Sequence, residues 1–429
     1  MNQAVLPGPR TGRVTVPASK SYAHRLFIAA ALGRAPVTIH CRGTCEDVRA
    51  TIACLRALGA GIREIAPDTY EVTPLSAPPL KPYSLPCRES GATLRFLLPL
   101  VGALGVKAVF HREGRLPRRP LEPLLTELAR HGETTTADDC DLYCQGQLRP
   151  GDYVLPGDVS SQFVSALLLA LPLLPGRSTL ILTSMPESAP YIAMTEEVLA
   201  AAGISLRREG GRYLIPGGQR YQLPAELTVE GDWSSAAFFL CAGALSREGV
   251  AVEGLSLSTC QGDSAIISLL RQMGAEVDLT SGCVIVRKGR LRAADIDARP
   301  IPDLIPPLSV LAAAAEGESH IQNAHRLRYK ESDRLRGIAE LLNSLGASPA
   351  IDGDGLLIRG VPHLKGGTVD PMGDHRLAMS AALAALAADA PVTVLSADCV
   401  GKSYPTFWAD FQSLKGETPC PAPSETHSV

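Results

Sequence analysis

No apolar run in this chain is long enough to cross a bilayer. The two longest, residues 96–106 and 166–174, are too short or too broken by proline and glycine. An excess of basic residues is missing as well: the formal net charge is -3, whereas nucleic-acid and membrane-surface proteins usually carry a basic surplus or stripe. Neither partner is expected. Paired cysteines at metal-binding spacing are also lacking. Among eleven cysteines none stands two residues from another. Cys41/Cys45 and Cys140/Cys144 come closest, and neither has a matching second pair, so no metal site is expected. The odd thiol count and the polar, proline-bearing N-terminus without a secretory signal suit a reducing, cytoplasmic setting.

What is present is an ordinary globular composition, 45% apolar and 20% charged over 429 residues, enough for two or three domains. Within it one feature repeats. Amphipathic runs stop at Gly59, Gly132, Gly203, Gly274, Gly346 and Gly416, with gaps of 73, 71, 71, 72 and 70 residues by subtraction. Leu55-Arg56-Ala57-Leu58-Gly59-Ala60, Leu270-Arg271-Gln272-Met273-Gly274-Ala275 and Leu342-Asn343-Ser344-Leu345-Gly346-Ala347 are near copies. A glycine just past the last apolar position suits a left-handed helix cap, and alternating β-type sequence mostly follows. The period predicts six copies of one α/β unit, packed three by three into two lobes. Residues 416–429, rich in Pro, Ser, Thr and Glu, read as a disordered tail.

Polar clusters precede many of the apolar helices. Ser19-Lys20-Ser21-Tyr22-Ala23-His24-Arg25 leads into a helix over 26–32, and hydroxyls and cations at a helix start make an anion site or a solvated cap. In Arg88-Glu89-Ser90-Gly91-Ala92-Thr93-Leu94-Arg95, Gly91 would admit a ligand close to the backbone, or serve only a turn. Arg115, Arg118 and Arg119 lie beside two stiffening prolines and face either an anion or solvent. Ser160-Ser161-Gln162 offers hydroxyl and amide groups beyond the one needed to cap a helix, while for Asp232-Trp233-Ser234-Ser235 capping is the better reading. In Lys330-Glu331-Ser332-Asp333-Arg334, helical spacing puts Lys330 and Arg334 on one face, with Glu331 beside them. Asp374-His375-Arg376, Lys402 and the lone carboxylate Asp303 in the apolar Ile301-Pro302-Asp303-Leu304-Ile305 complete the set. Recurrent cations at helix starts, without net positive charge, favour a small, strongly anionic ligand between the lobes.

Taken in order across residues 14–412, Lys20-Ser21 with Arg25, Ser90-Gly91 with Arg95, Arg119-Pro120, Ser160-Ser161-Gln162, Glu230-Gly231-Asp232, Gln261-Gly262-Asp263, Ile301-Pro302-Asp303, Lys330-Glu331-Ser332-Asp333-Arg334 and Asp374-His375-Arg376 resemble the 3-phosphoshikimate 1-carboxyvinyltransferase (EPSP synthase) family. The resemblance implies two similar lobes, each of three βαβαββ units with helices inside and sheets outside. Residues 20–230 would form the first lobe, and 1–19 with 231–415 the second. It implies transfer of the enolpyruvyl group of phosphoenolpyruvate to the 5-hydroxyl of shikimate 3-phosphate, with release of phosphate, through a tetrahedral intermediate and without metal or organic cofactor. On that resemblance Ser21, Arg25, Ser160, Ser161, Ser188, Tyr191 and Lys330 would hold shikimate 3-phosphate, with Gln162 at the boundary of the two ligands. Lys20, Gly91, Arg119, Arg334, Arg376 and Lys402 would hold phosphoenolpyruvate. Asp303 would take the hydroxyl proton and Glu331 would protonate the methylene carbon. A monomer is expected, with small molecules as its partners.

The chain departs from the family pattern at Glu89, where Asn is usual, and at Ala92, Phe96 and Arg326, where Thr, Pro and in some members Asn stand. The first three surround Gly91 and bear on sensitivity to glyphosate more than on catalysis. Lys20-Ser21 in place of Lys-Asn, and no cysteine over 115–120, speak against the sister enzyme that acts on UDP-N-acetylglucosamine. Asp303, Glu331, Lys20 and Arg376 together speak against a catalytically dead binding protein on the same fold.

Overall fold

The computed structural model describes residues 1–75, 82–280 and 282–416; the tail expected after Gly416 lies outside the described residues. Among the described residues twelve α-helices alternate with short strands. They are α1 (Lys20–Ala31), α2 (Glu46–Ala57), α3 (Gly91–Leu104), α4 (Leu124–Arg130), α5 (Ser161–Ala170), α6 (Ala189–Ala201), α7 (Trp233–Ala244), α8 (Ile266–Gln272), α9 (Ile305–Ala314), α10 (Arg334–Ser344), α11 (His375–Ala385) and α12 (Phe407–Ser413).

The second unit shows the pattern whole. Strand Tyr83–Arg88 is followed by α3, the parallel strand Ala108–Arg112, α4, and the antiparallel pair Glu133–Ala137 and Asp141–Gly146. Sheets of the same order surround α5 with α6 and α9 with α10. The odd-numbered helices are buried on nearly every face, as in α11, where all eleven residues are buried. The even-numbered ones bury one stripe only, as in α2 and α10. A helix apolar all round needs cover on all sides, so the odd helices lie inside and the amphipathic ones lie outside them.

Five of the six glycine endings cap helices as expected: Gly59, Gly132, Gly203, Gly274 and Gly346 have φ between +71° and +109°. The sixth does not. After α12 the chain is already extended at Leu414, and Gly416 sits in the strand Lys415–Gly416, paired with Arg10. Among the described residues the last unit has no hairpin of its own, and the N-terminal strand Gln3–Val5 joins its sheet by pairing with Val392–Val394.

Two units borrow a strand across the chain. Arg10–Thr15 runs parallel to Val250–Glu253, and Glu226–Thr228 runs parallel to Val37–His40. Apolar side chains accordingly form two cores, one from residues 22–229 and one from 5–16 with 233–414. The connecting segments hydrogen-bond to each other: Ser19 N–H donates to Glu230 O at 2.7 Å and Asp232 N–H to Pro17 O at 2.9 Å. Gly231 is needed here, because a side chain would collide with the Gly254 carbonyl.

One buried carboxyl has no ion-pair partner among the described residues. Glu133, 1% exposed, packs under the end of α3 where Gly102 leaves room, and neither of its oxygens has a hydrogen-bond partner among the described residues. Burial pushes its pKa from 4.5 up to about 8. A folded value above the unfolded one favours the fold in the neutral form, so this stability is full below about 4.5 and is lost as pH rises through 8. Glu133→Gln, neutral at every pH, should melt with the wild type near pH 4.5 and a few degrees above it at pH 8.5. An equal gap at both pH values in thermal melts would contradict the assignment.

Candidate active site

A cavity of about 580 Å³ opens between the two cores. Five of the six inner helices begin on its wall. Lys20 and Ser21 open α1, Gly91 and Ala92 open α3, Ser161 and Gln162 open α5, Asp303 stands just before α9, and His375 and Arg376 open α11. Each start follows from local chemistry: Ser19, Ser90, Ser160 and Asp374 accept from the first-turn N–H groups of α1, α3, α5 and α11, while proline takes the first turn of α9. The positive ends of these helices point at one volume.

Cations and carboxylates from both cores meet there. Arg334, 1% exposed on its side chain, donates from Nη1 to Asp303 at 2.7 Å, from Nη2 to Glu331 at 2.6 Å and from Nε to Asp374 at 2.8 Å. Arg376 Nε and Lys330 Nζ also approach Asp303, at 3.3 and 3.6 Å, and Tyr191 donates its hydroxyl to the other Asp303 oxygen at 3.1 Å. Burial alone would raise the Asp303 carboxyl, but Arg376, Lys330 and Arg334 hold it well below the usual carboxylate range. Glu331 likewise overcomes burial through Arg334 and Arg119, the latter 3.7 Å away. Both carboxyls are ionised. Lys330 is lowered to about 8 by burial, against the pull of Asp303.

On the facing wall Lys20 Nζ pairs with Asp47 at 3.0 Å, and although burial opposes its charge, Asp47 and Glu331 raise its pKa. Arg25 has no carboxylate partner among the described residues. Its guanidinium bonds Thr195, Ser165 and the carbonyls of Ser21 and Tyr191, lies 4.9 Å from the Phe96 ring centre, and is lowered to about 10 by burial. Arg95 donates to Gln162 Oε1 at 2.7 Å and so fixes that amide at the cavity wall. Ser188 accepts from Arg326 at 2.8 Å and donates to the Arg299 carbonyl at 3.2 Å.

Every residue expected at the site lines this cavity except Lys402, whose ammonium pairs with Glu89 at 3.0 Å. Several local expectations need correction. Gly91 makes no tight turn; it opens α3, and the Arg119 guanidinium lies where a Cβ would stand, 2.6 Å from Nη1. Of the three neighbouring arginines only Arg119 reaches the cavity, since the 3₁₀ turn Leu116–Arg118 leaves Arg115 and Arg118 exposed. Lys330 and Arg334 do not share a helical face, because Asp333 caps α10 and Lys330 lies extended before it. Asp303 is surrounded by cations despite its apolar sequence neighbours.

Sequence reasoning missed Asp47, Arg95, Arg326 and His375 as wall residues. His375 is buried with neither ring nitrogen hydrogen-bonded to a described residue, and burial with Lys20 and Arg376 nearby keeps it neutral. Its position beside Arg376 at a helix start was the available signal. Asp47 carried none, because its partner Lys20 is distant in sequence, while Arg326 stood out only as a departure from the family pattern. Cys41 and Cys45 are buried, and burial pushes their thiols up to about 11 and about 12.

The family model for EPSP synthase (3-phosphoshikimate 1-carboxyvinyltransferase) matches residues 6–411. The chain belongs to the EPSP synthase family. A relative named 3-phosphoshikimate 1-carboxyvinyltransferase from Clostridium kluyveri is 38% identical over 417 residues, covering 96% of this chain and 97% of its own length. One of the same name from Methanocorpusculum labreanum is 38% identical over 408 residues, with 94% and 96% covered. The solved EPSP synthase of Acinetobacter baumannii superposes with a TM-score of 0.78 at 27% identity, covering 96% of this chain and 98% of that one. The enolpyruvyl transferase NikO from Streptomyces tendae gives 0.77 at 25% identity, with 97% of each covered. The fold is therefore the two-lobed α/β architecture of this family, helices inside and sheets outside.

The Arg334 network makes a stability prediction. Removing its charge leaves the buried Asp374 and the half-buried Asp303 and Glu331 without their shared partner, so Arg334→Met should lower the unfolding free energy by roughly 3–5 kcal/mol. Arg334→Lys should fall between, since an ammonium cannot bridge all three. A urea titration placing Arg334→Met within 1 kcal/mol of wild type, roughly a surface-pair effect, would refute the network's importance.

Proposed function

We propose that this cavity carries out the reaction of its family on this chain's own residues. The enzyme transfers the enolpyruvyl group of phosphoenolpyruvate to the 5-hydroxyl of shikimate 3-phosphate and releases phosphate, a step of the shikimate pathway to aromatic amino acids. The observation that carries the reading is the charge of the wall: eight Lys and Arg side chains face five carboxylates. Two substrates that each bring a phosphate and a carboxylate supply the missing negative charge.

In this reading Ser21, Arg25, Ser160, Ser161, Ser188, Tyr191 and Lys330 hold shikimate 3-phosphate, with Gln162 between the ligands. Lys20, Gly91, Arg119, Arg334, Arg376 and Lys402 hold phosphoenolpyruvate. Asp303, ionised among its cations, takes the proton of the 5-hydroxyl as that oxygen bonds the enol carbon, and Glu331 gives a proton to the methylene. The resulting tetrahedral intermediate collapses by losing phosphate and returning the methyl proton to a base on the same face, for which Glu331 stands ready. Free Glu331 is ionised, so it must first gain a proton. The cations that hold it so, Arg334, Arg119 and Lys402, are the ones assigned to phosphoenolpyruvate, so the ligand's own anionic groups weaken their hold and raise the carboxyl's proton affinity.

The lobe boundaries 20–230 and 1–19 with 231–415 follow the two cores. The net charge of -3 fits small-molecule substrates and no nucleic-acid partner, and no helix among the described residues is long and apolar enough to cross a membrane.

The test is phosphate release with both substrates against each alone; release should require both. Asp303→Asn and Glu331→Gln should each lower turnover by about a hundredfold or more. Calorimetric binding of shikimate 3-phosphate should survive both changes. Near wild-type turnover in Asp303→Asn, or loss explained by lost binding, would reject the base assignment.

A further inference from the structure

The cation expected to bind phosphoenolpyruvate but absent from the cavity wall is Lys402, and its position has a specific cause. Its side chain is buried, 8% exposed overall, at the end of the 3₁₀ helix Ala397–Lys402. Its ammonium meets Glu89 Oε2 at 3.0 Å, although its charge still reaches Glu331 and helps hold that carboxyl ionised. Lys402 thus stands at the edge of the anion site, turned toward a carboxylate of the other core.

The local backbone is shaped to put Glu89 there. The pairing of strand Tyr83–Arg88 shifts register between Pro86 and Arg88, and Arg88 takes φ +51°, a left-handed conformation uncommon for a residue with a side chain. That turn sends Glu89 over Gly114, where any side chain would collide with the Glu89 carboxylate. Gly114 has φ +55°, so two left-handed residues frame the carboxylate.

The geometry points to Glu89 as an internal competitor for Lys402: its carboxylate holds the ammonium in the free enzyme and yields it to the anionic groups of phosphoenolpyruvate, so that Glu89 sets the affinity for that substrate. This rests on the reading of Lys402 as a phosphoenolpyruvate ligand. The plainer alternative is a surface ion pair that merely ties the two cores. The two differ in sign. A tie that orients Lys402 helps binding, and its loss weakens or spares the ligand. A competitor hinders binding, and its loss strengthens it. Glu89 is a positioning residue in this scheme, acting through Lys402 and not on the reacting atoms.

Glu89→Gln keeps the size and removes the charge. Because a half-exposed pair is worth at most about 1 kcal/mol, the KM for phosphoenolpyruvate should fall about three- to fivefold. The kcat should stay within about twofold, and the KM for shikimate 3-phosphate should not move. In a Lys402→Met background the same change should lose most of its effect. A raised or unchanged KM in Glu89→Gln, or an undiminished effect without Lys402, would overturn the proposal. Calorimetric titration with inorganic phosphate gives a readout independent of turnover: Glu89→Gln should bind it more tightly than wild type, and equal affinity would count against competition. If wild type released no phosphate from its two substrates, the reaction assignment would fall, while this titration would still decide the role of Glu89.

Discussion

The guanidinium of Arg334 is the interaction on which the site depends. It gathers Asp303, Glu331 and Asp374, three carboxylates from three separate stretches of chain, around one buried cation. None of these groups tolerates burial alone; an isolated carboxylate there would take up a proton, and an isolated guanidinium would be expelled to water. Together they are stable and ionised. Because the neighbouring cations outnumber the carboxylates, the wall as a whole remains positive and is completed electrostatically only when an anion enters.

That incompleteness links binding to chemistry. The acid and the base of the proposed reaction need different proton affinities, yet the surrounding cations depress both Asp303 and Glu331. The two are depressed by partly different cations. Arg376 and Lys330 act on Asp303, Arg119 and Lys402 on Glu331, and Arg334 acts on both. In the proposed reaction, phosphoenolpyruvate engaging Arg119 and Lys402 would lift Glu331 more than Asp303, which would separate the acid from the base without moving either side chain.

How much of this was legible in the sequence depended on how local each cause was. Helix ends are set within a few residues, so the glycine period revealed the repeat, and five of its six members have the backbone it implied. The sixth failed because the last unit ends in an extended strand, a fact decided by pairing with Arg10 some four hundred residues away. The exchanged strands Arg10–Thr15 and Glu226–Thr228 left no local mark for the same reason. At the site, polar residues clustered at helix starts were legible because capping and anion binding use the same residue types. The surroundings of Asp303 were not, since the cations in contact with it, Lys330, Arg334 and Arg376, come from later stretches of the chain, and its own neighbours in sequence are apolar.

The repeated fold explains why such a site arises at all. Five of the six units bury their inner helix with its start on the cavity wall, so helix starts converge before any charged side chain is considered. One start is used differently. Asp232 caps α7 by accepting from Ser235 N–H at 2.7 Å, and with its other oxygen it accepts from Lys20 N–H at 3.0 Å. The sixth helix start thus serves the joint between the two chain crossings, and the residue it fixes, Lys20, has its ammonium in the cavity wall beside Asp47. Lys20 therefore belongs to both places, its backbone N–H to the joint and its ammonium to the cavity wall.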